Sequence, residues 1–296
     1  MASLAKKRIL IDIKNFYSDK DNLTGIYAHF DEEDIYRAKA MIIGPDDTPY
    51  SGGFYFFDIE FPKNYPLYPP KVTFITTDSR IRFNPNLYIN GKVCVSILGT
   101  WQGPGWTSVM TFNNVVLSIQ TLLNNRPIQN EPGWENETGE RCIKYNQIID
   151  YYNYEVAILK MINNTPPGFE VFKEDMENHI SNNIDKFMER ISRNVSLDNK
   201  EIKAHIYGLY LKPRYQYLLK EFEQLRKTYS NKKDNINEKS DDNIDTNITE
   251  IEIKKRKSPS EPSKNYNVGD IVKSDNDGND WKVVKFGDKT RWMLCK

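Results

Sequence analysis

Phe61-Pro62-Lys63-Asn64-Tyr65-Pro66-Leu67-Tyr68-Pro69-Pro70 decides the fold, because four of its ten positions are proline. Proline fixes φ and lacks an N–H, so this segment cannot be a central strand and reads as a stiff, extended surface connector. The chain before it is β-rich: Gly25 to Phe30, Asp34 to Ile43 and Gly53 to Phe61 are separated by turn clusters such as Gly44-Pro45-Asp46-Asp47-Thr48-Pro49. A fourth run, Lys71 to Thr77, follows the connector. Four short runs in series predict an antiparallel meander.

Further out the periodicity changes. Ala5 to Tyr17 sets Ile9, Ile13 and Phe16 among Lys6, Lys7, Arg8 and Lys14, which predicts a first amphipathic helix with a basic exposed side. Phe112 to Leu123 has Val115, Val116, Ile119 and Leu122 at helical spacing and predicts a core helix. Three more helical segments are expected at Arg141 to Ile162, Phe169 to Ile191 and Lys200 to Thr228, broken by Thr165-Pro166-Pro167-Gly168 and by Val195-Ser196-Leu197-Asp198. Ser230 to Ser263 is rich in Asn, Asp, Lys and Ser and buries too little to offset its ordering entropy, so it reads as a disordered linker. Apolar alternation returns at Gly269 to Val272, Trp281 to Val284 and Arg291 to Leu294, predicting three short strands. Asp275, Asp277 and Asn279 alternate like calcium-loop ligands, but Phe286 stands where the closing glutamate would be, which favours a tight turn. The expected organisation is a core at 1–139, a helical extension packed on it at 140–229, a linker at 230–264 and a small β-rich module at 265–296.

Composition narrows the function. Lys plus Arg equals Asp plus Glu at 41 each in 296 residues, so no overall field draws the chain to nucleic acid or an anionic membrane. The first residues lack the apolar core of a secretory signal and no apolar run reaches membrane-spanning length, so an intracellular, soluble chain is expected, with a monomer as the default. Lys254-Lys255-Arg256-Lys257 before Ser258-Pro259 reads as a nuclear import signal or an electrostatic tether, so a cytoplasmic location is expected, with a nuclear one if the cluster acts in import. Cys94, Cys142 and Cys295 are odd in number and widely spaced, with neither disulfide density nor zinc spacing, so no metal or other cofactor is expected.

The chemistry centres on Arg82-Phe83-Asn84-Pro85-Asn86-Leu87-Tyr88 and the Gly91-Lys92-Val93-Cys94 that follows. Between two valines, Cys94 taken by itself reads more readily as a small core hydrophobe than as a reactive thiol. The three histidines, His29, His179 and His205, give no Cys-His protease pairing close by. A thiol that exchanges thioesters needs no strong base, though it does need an oxyanion donor.

Asn84-Pro85-Asn86 with Gly91-Lys92-Val93-Cys94 resembles the His-Pro-Asn and glycine-x-valine-cysteine signature of ubiquitin-conjugating enzymes. Gly44-Pro45 through Thr48-Pro49-Tyr50-Ser51-Gly52-Gly53 and the proline-rich connector resemble the same family's hairpin and loop, in the same order. The resemblance implies an α+β fold: a UBC-like core with a four-stranded antiparallel meander flanked by helices, a helical C-terminal extension, a disordered linker and a small β module. It implies that Cys94 accepts ubiquitin or a ubiquitin-like modifier as a thioester from an activating enzyme and passes it to a substrate lysine or a ligase cysteine. Asn86 would then stabilise the oxyanion or support the loop, Tyr88 would help align the lysine, and Glu131 would act as the acidic gate. Partner docking would fall on Lys6, Lys7 and Arg8, on Leu67, and on Trp106, Ser108 and Val109.

Two departures mark a subclass. Asn84 stands where most members have histidine, and Gly99-Thr100-Trp101-Gln102-Gly103-Pro104-Gly105-Trp106 is an insertion; both resemble large members with a helical C-terminal region. The rival readings are a catalytically inert ubiquitin-binding variant, which would lack the cysteine, and an adaptor acting through Trp281 and Trp292.

Overall fold

The structure, a computed structural model, describes residues 4–241, 266–273, 280–286 and 289–294. The basic cluster at Lys254–Lys257, the alternating acids Asp275 to Asn279 and Cys295 lie outside the described residues, as does most of the expected linker. Two compact units emerge, 1–237 and 238–296. No described helix is long and apolar enough to cross a membrane.

In the first unit α1 (Leu4–Ser18) buries Ala5, Ile9, Asp12 and Phe16, one stripe at helical spacing. Strands β1 (Ile26–Phe30), β2 (Arg37–Ile43), β3 (Phe54–Glu60) and β4 (Lys71–Phe74) pair antiparallel in sequence order, as the turn clusters predicted. Phe54, Tyr55, Phe56 and Phe57 on β3 are all fully buried, so this strand does not alternate core and solvent. Both faces of the sheet are covered. The connector that follows β3 folds Tyr65 inward, while Leu67 and Tyr68 stay exposed. The helix expected after the cysteine loop is α2 (Phe112–Gln120), capped by Thr111, whose side chain accepts from the Asn114 N–H while the Asn114 side chain accepts from the Thr111 N–H.

The extension opens with α3 (Glu140–Tyr152), which passes through a π-helical stretch, Asn153–Lys160, into α4 (Met161–Asn163). Asn153 is buried where the register changes, and it joins extension to core. Its Oδ1 accepts from the Tyr55 hydroxyl at 2.7 Å and its Nδ2 donates to the Ser51 carbonyl at 2.9 Å. Gly53 permits this approach: a Cβ there would lie 1.9 Å from Asn153 Oδ1. Helix α5 (Lys173–Arg193) buries Met176, Ile180, Ile184, Phe187 and Ile191. Phe169 and Phe172, just before it, close over Phe56, with ring centroids 4.9 and 6.3 Å away.

The third expected helix of the extension is wrong at its start. Residues 200–214 form a hairpin, β5 (Ile202–Lys203) with β6 (Tyr210–Leu211), and α6 begins only at Tyr215 and runs to Asp241. Two backbone facts forbid helix there: Tyr207 and Gly208 sit in the left-handed region at φ 56 and 62, and Pro213 precedes the helix. The far end also differs, because helix continues through Ser230 to Asp241, where the linker was expected to have begun.

In the second unit β7 (Ile271–Lys273), β8 (Asp280–Phe286) and β9 (Lys289–Leu294) form the three-stranded antiparallel sheet that the alternation predicted. Val283 is its buried centre.

Candidate active site

The segment from Arg82 to Thr100 is irregular, and its shape is set by side-chain hydrogen bonds instead of a ladder. Asn84 is fully buried and works at both ends. Its Oδ1 accepts from the Asn86 N–H at 2.9 Å, an Asx turn, while its Nδ2 donates to the Leu122 carbonyl at 2.7 Å and to the Tyr50 hydroxyl at 3.1 Å. The Tyr50 hydroxyl donates onward to the Phe83 carbonyl at 2.6 Å, and burial pushes its pKa far up, so it stays a donor. An asparagine at 84 therefore satisfies a buried turn that connects the end of α2 to the hairpin.

Asn86 and Cys94 are tied backbone to side chain and backbone to backbone. The Cys94 N–H donates to the Asn86 carbonyl at 2.9 Å, and Asn86 Nδ2 donates to the Cys94 carbonyl at 2.6 Å. Of the two roles expected for Asn86, loop support is the one its hydrogen bond performs. Its Oδ1 is buried without a protein partner. Beyond the cysteine, Thr100 Oγ1 donates to the Val93 and Val95 carbonyls at 2.8 and 3.2 Å and accepts from the Val95 N–H at 3.0 Å, so the strand-like bend is clamped from the far side.

Cys94 forms part of the floor of an open cleft of about 1020 Å³, although only 1% of the residue is exposed. Ser96, Trp101 and Gln102 line one wall; Asn130, Pro132 and Glu135 line the other. Residues 99–102 of the insertion thus border the cleft, while residues 103–105 are exposed. Glu135 is the acid at this rim, and reasoning from sequence missed it. Its own N–H and that of Gly133, which donates to Oε1 at 3.0 Å, hold its carboxyl below the usual range. The Pro132-Gly133 turn that folds it back was the available signal.

Glu131 and Tyr88 are placed differently from one another. Glu131 turns from the cleft lining to accept a hydrogen bond from the Tyr207 hydroxyl on the β5–β6 hairpin. Tyr88 is half-buried, with the Arg82 guanidinium 3.7 Å above its ring.

The expected docking residues do converge on one region. Arg8 donates to the Ser108 carbonyl at 2.8 Å and to the Val109 and Met110 carbonyls, and its Nε meets the buried Asp12 at 3.0 Å. Asp12 also accepts from the Tyr65 hydroxyl and from the Phe112 N–H. Trp106 donates its indole N–H to the Pro66 carbonyl at 2.7 Å, beside Leu67. Arg8 and Trp106 are therefore struts of this surface, while Leu67 and Val109, 65% and 81% exposed, are its apolar points. Lys6 and Lys7 stand on the exposed side of α1.

A family model described as ubiquitin-conjugating enzyme matches residues 8–153. Among curated proteins, the human ubiquitin-conjugating enzyme E2 Z is 42% identical over 172 residues, covering 57% of this chain and 48% of that protein. The Xenopus tropicalis protein of the same name is 43% identical over 157 residues, covering 52% of this chain and 50% of its own. The human dual E2 ubiquitin-conjugating enzyme/E3 ubiquitin-protein ligase BIRC6 is 39% identical over 167 residues, covering 53% of this chain and 3% of that protein. This chain thus spans about half the length of the E2 Z relatives that it matches.

Proposed function

We propose, from the match of residues 8–153 to the ubiquitin-conjugating enzyme family model, that Cys94 carries ubiquitin, or a related modifier, as a thioester. The observation that carries the reading is the cysteine at the floor of an open cleft, its carbonyl held by Asn86 Nδ2. In charging, Cys94 Sγ attacks the thioester carbonyl on an activating enzyme. A new C–S bond forms, the old one breaks, and the activating enzyme's sulfur leaves with the electron pair. ATP is spent at that enzyme, so this chain needs no nucleotide site.

In discharge an acceptor lysine reaches the cleft as an ammonium, and must lose a proton before its nitrogen can attack. Glu135, held ionised at the rim, attracts the cation, and the proton leaves to water. Asn86 has a second amide hydrogen for the developing oxyanion while the first holds the loop. Tyr88 gives apolar contact beside the signature turn. When the partner is a ligase cysteine, sulfur replaces sulfur and the acid is not needed. Activating enzyme and ligase engage the surface of Lys6, Lys7, Leu67 and Val109.

Incubation of the full chain with activating enzyme, ATP and ubiquitin tests this. The wild type should form an adduct that reducing agent removes; Cys94→Ala should form none, and Cys94→Lys should form at most an adduct that resists reduction. A wild type that stays uncharged, where a control enzyme charges, would falsify the proposal and favour an inert binding module.

A further inference from the structure

The β5–β6 hairpin carries Tyr207 at its turn in the left-handed region, φ 56, a conformation that a bulky residue adopts only when its surroundings impose it. Three contacts do so. Its hydroxyl donates to Glu131 Oε2, the Arg82 guanidinium lies 4.1 Å from its ring centroid, and its ring meets Tyr145 edge-on at 6.3 Å. Tyr145 in turn donates its hydroxyl to the Arg82 carbonyl at 2.8 Å.

Arg82, Tyr88 and Glu131 do not themselves line the Cys94 cleft, but each adjoins a segment that does. The same Arg82 guanidinium covers Tyr88 at 3.7 Å and starts the turn that contains Asn84 and Asn86. Glu131 is the pivot of the other wall: its N–H donates to the Ile128 carbonyl at 3.1 Å and its carbonyl accepts from Trp134 at 3.0 Å, which presents Asn130, Pro132 and Glu135 to the cleft. We propose that Tyr207 is a positioning residue for transfer to amines: through Glu131 and Arg82 it fixes the Asn130–Glu135 wall and Tyr88 where an acceptor lysine must pass. The extension would then act on chemistry at a thiol it does not touch.

This role rests on the acyl-carrier reading. In the step concerned the amine nitrogen bonds to the thioester carbon, the C–S bond breaks, Cys94 leaves as thiolate, and two protons of the ammonium are released, one restoring the thiol. A small thiol acceptor brings no ammonium and displaces sulfur directly, so it is indifferent to the placement of the wall.

The test separates these acceptors. Full-length chain is charged with activating enzyme, ATP and ubiquitin, charging is stopped by chelating magnesium, and loss of the adduct is followed in free lysine or in 2-mercaptoethanesulfonate. Tyr207→Phe, which keeps the ring, should slow lysine discharge by about three- to tenfold, the rate equivalent of one hydrogen bond, chiefly by raising the half-saturating lysine concentration. Thiol discharge should stay within about twofold of wild type, since no such bond is lost in that step. Amide exchange at Glu131, Gly133 and Trp134 should quicken in the same variant. Equal slowing of both acceptors, or lysine discharge at the wild-type rate, overturns the role of Tyr207 alone. A wild type that cannot charge removes the acyl-carrier reading and this role with it.

Discussion

At Asn86 one amide group holds the loop and, in the proposed reaction, also serves the oxyanion, and a substitution can separate these tasks from simple bulk. Asn86→Asp keeps the shape and replaces the donor to the Cys94 carbonyl with a second acceptor, so two oxygens face each other in a buried turn. Leaving a buried acceptor unpaired costs about 1–3 kcal/mol, and loss of one oxyanion donor slows acyl transfer by about 10²–10³-fold. The variant should therefore melt lower and discharge to lysine at least about 10²-fold more slowly; single-turnover discharge beside a thermal melt reads both. Unaltered discharge in a destabilised variant would leave Asn86 with loop support alone. Cys94 and Asn86 were expected only through the resemblance of Asn84-Pro85-Asn86 and Gly91-Lys92-Val93-Cys94, with the hairpin and proline-rich loop before them, to a known signature. Glu135 was not, because the residue that faces a cleft after a turn depends on φ and ψ at Pro132 and Gly133, and neighbouring Glu131 fits the same composition. Nor was the partner of Glu131, Tyr207, which is distant in sequence and close only in the folded chain.

Among the elements, those with a period and a punctuation mark were readable. Strands β1 to β4 and helices α1, α2 and α5 carry apolar stripes bounded by Gly, Pro or a capping Thr, and each was expected within a few residues of where it lies. The β5–β6 hairpin was not, since two-residue strands are too short to show alternation. The π-helical stretch keeps helical composition while changing register, so nothing in the composition announces it. That stretch supplies half of a charged junction with the loop after β4. Burial alone would raise the Asp78 carboxyl, but hydrogen bonds from the Arg80 side chain and backbone, together with Lys160, outweigh it and hold the pKa at about 2 against an ordinary 3.8. Arg80 also meets Glu155 at 2.8 Å. A carboxyl lowered in the folded state stabilises it above the unfolded value, and that contribution fades as pH falls from about 4 through about 2. After solvent screening it is on the order of 1 kcal/mol. Urea unfolding at pH 5 should show wild type more stable than Asp78→Asn by that amount, with the gap closing by pH 2; a gap that does not change with pH would assign the difference to packing instead of charge.

At the scale of the whole first unit, the matched family segment ends at residue 153 but the hydrophobic core does not. Phe54 and Phe56 are fully buried because His179, Phe169 and Phe172 cover them, and Tyr154 is enclosed by Phe187 and Phe222, with ring centroids 6.3 and 5.6 Å away. Arg190 of α5 adds a polar tie across the same seam, donating to the Thr48 carbonyl at 2.8 Å and to buried Asp150. Core and extension are one folding unit in this sense. A chain ended at Asn164 would uncover at least Phe54, Phe56 and Tyr154 and strip Asp150 of its cation. Each large apolar side chain returned to water costs about 1.5–3 kcal/mol, against a total stability of about 5–15 kcal/mol for a domain. Three such side chains consume much of the margin. The shortened chain should therefore lose its cooperative melt, bind a hydrophobic dye such as ANS and fail to charge, although it retains Cys94, Asn86 and the whole cleft. Because Tyr207 goes with the removed segment, a shortened chain that instead melted within a few degrees of the full chain would count against this shared core. Its discharge to lysine would then show directly what the extension contributes to chemistry.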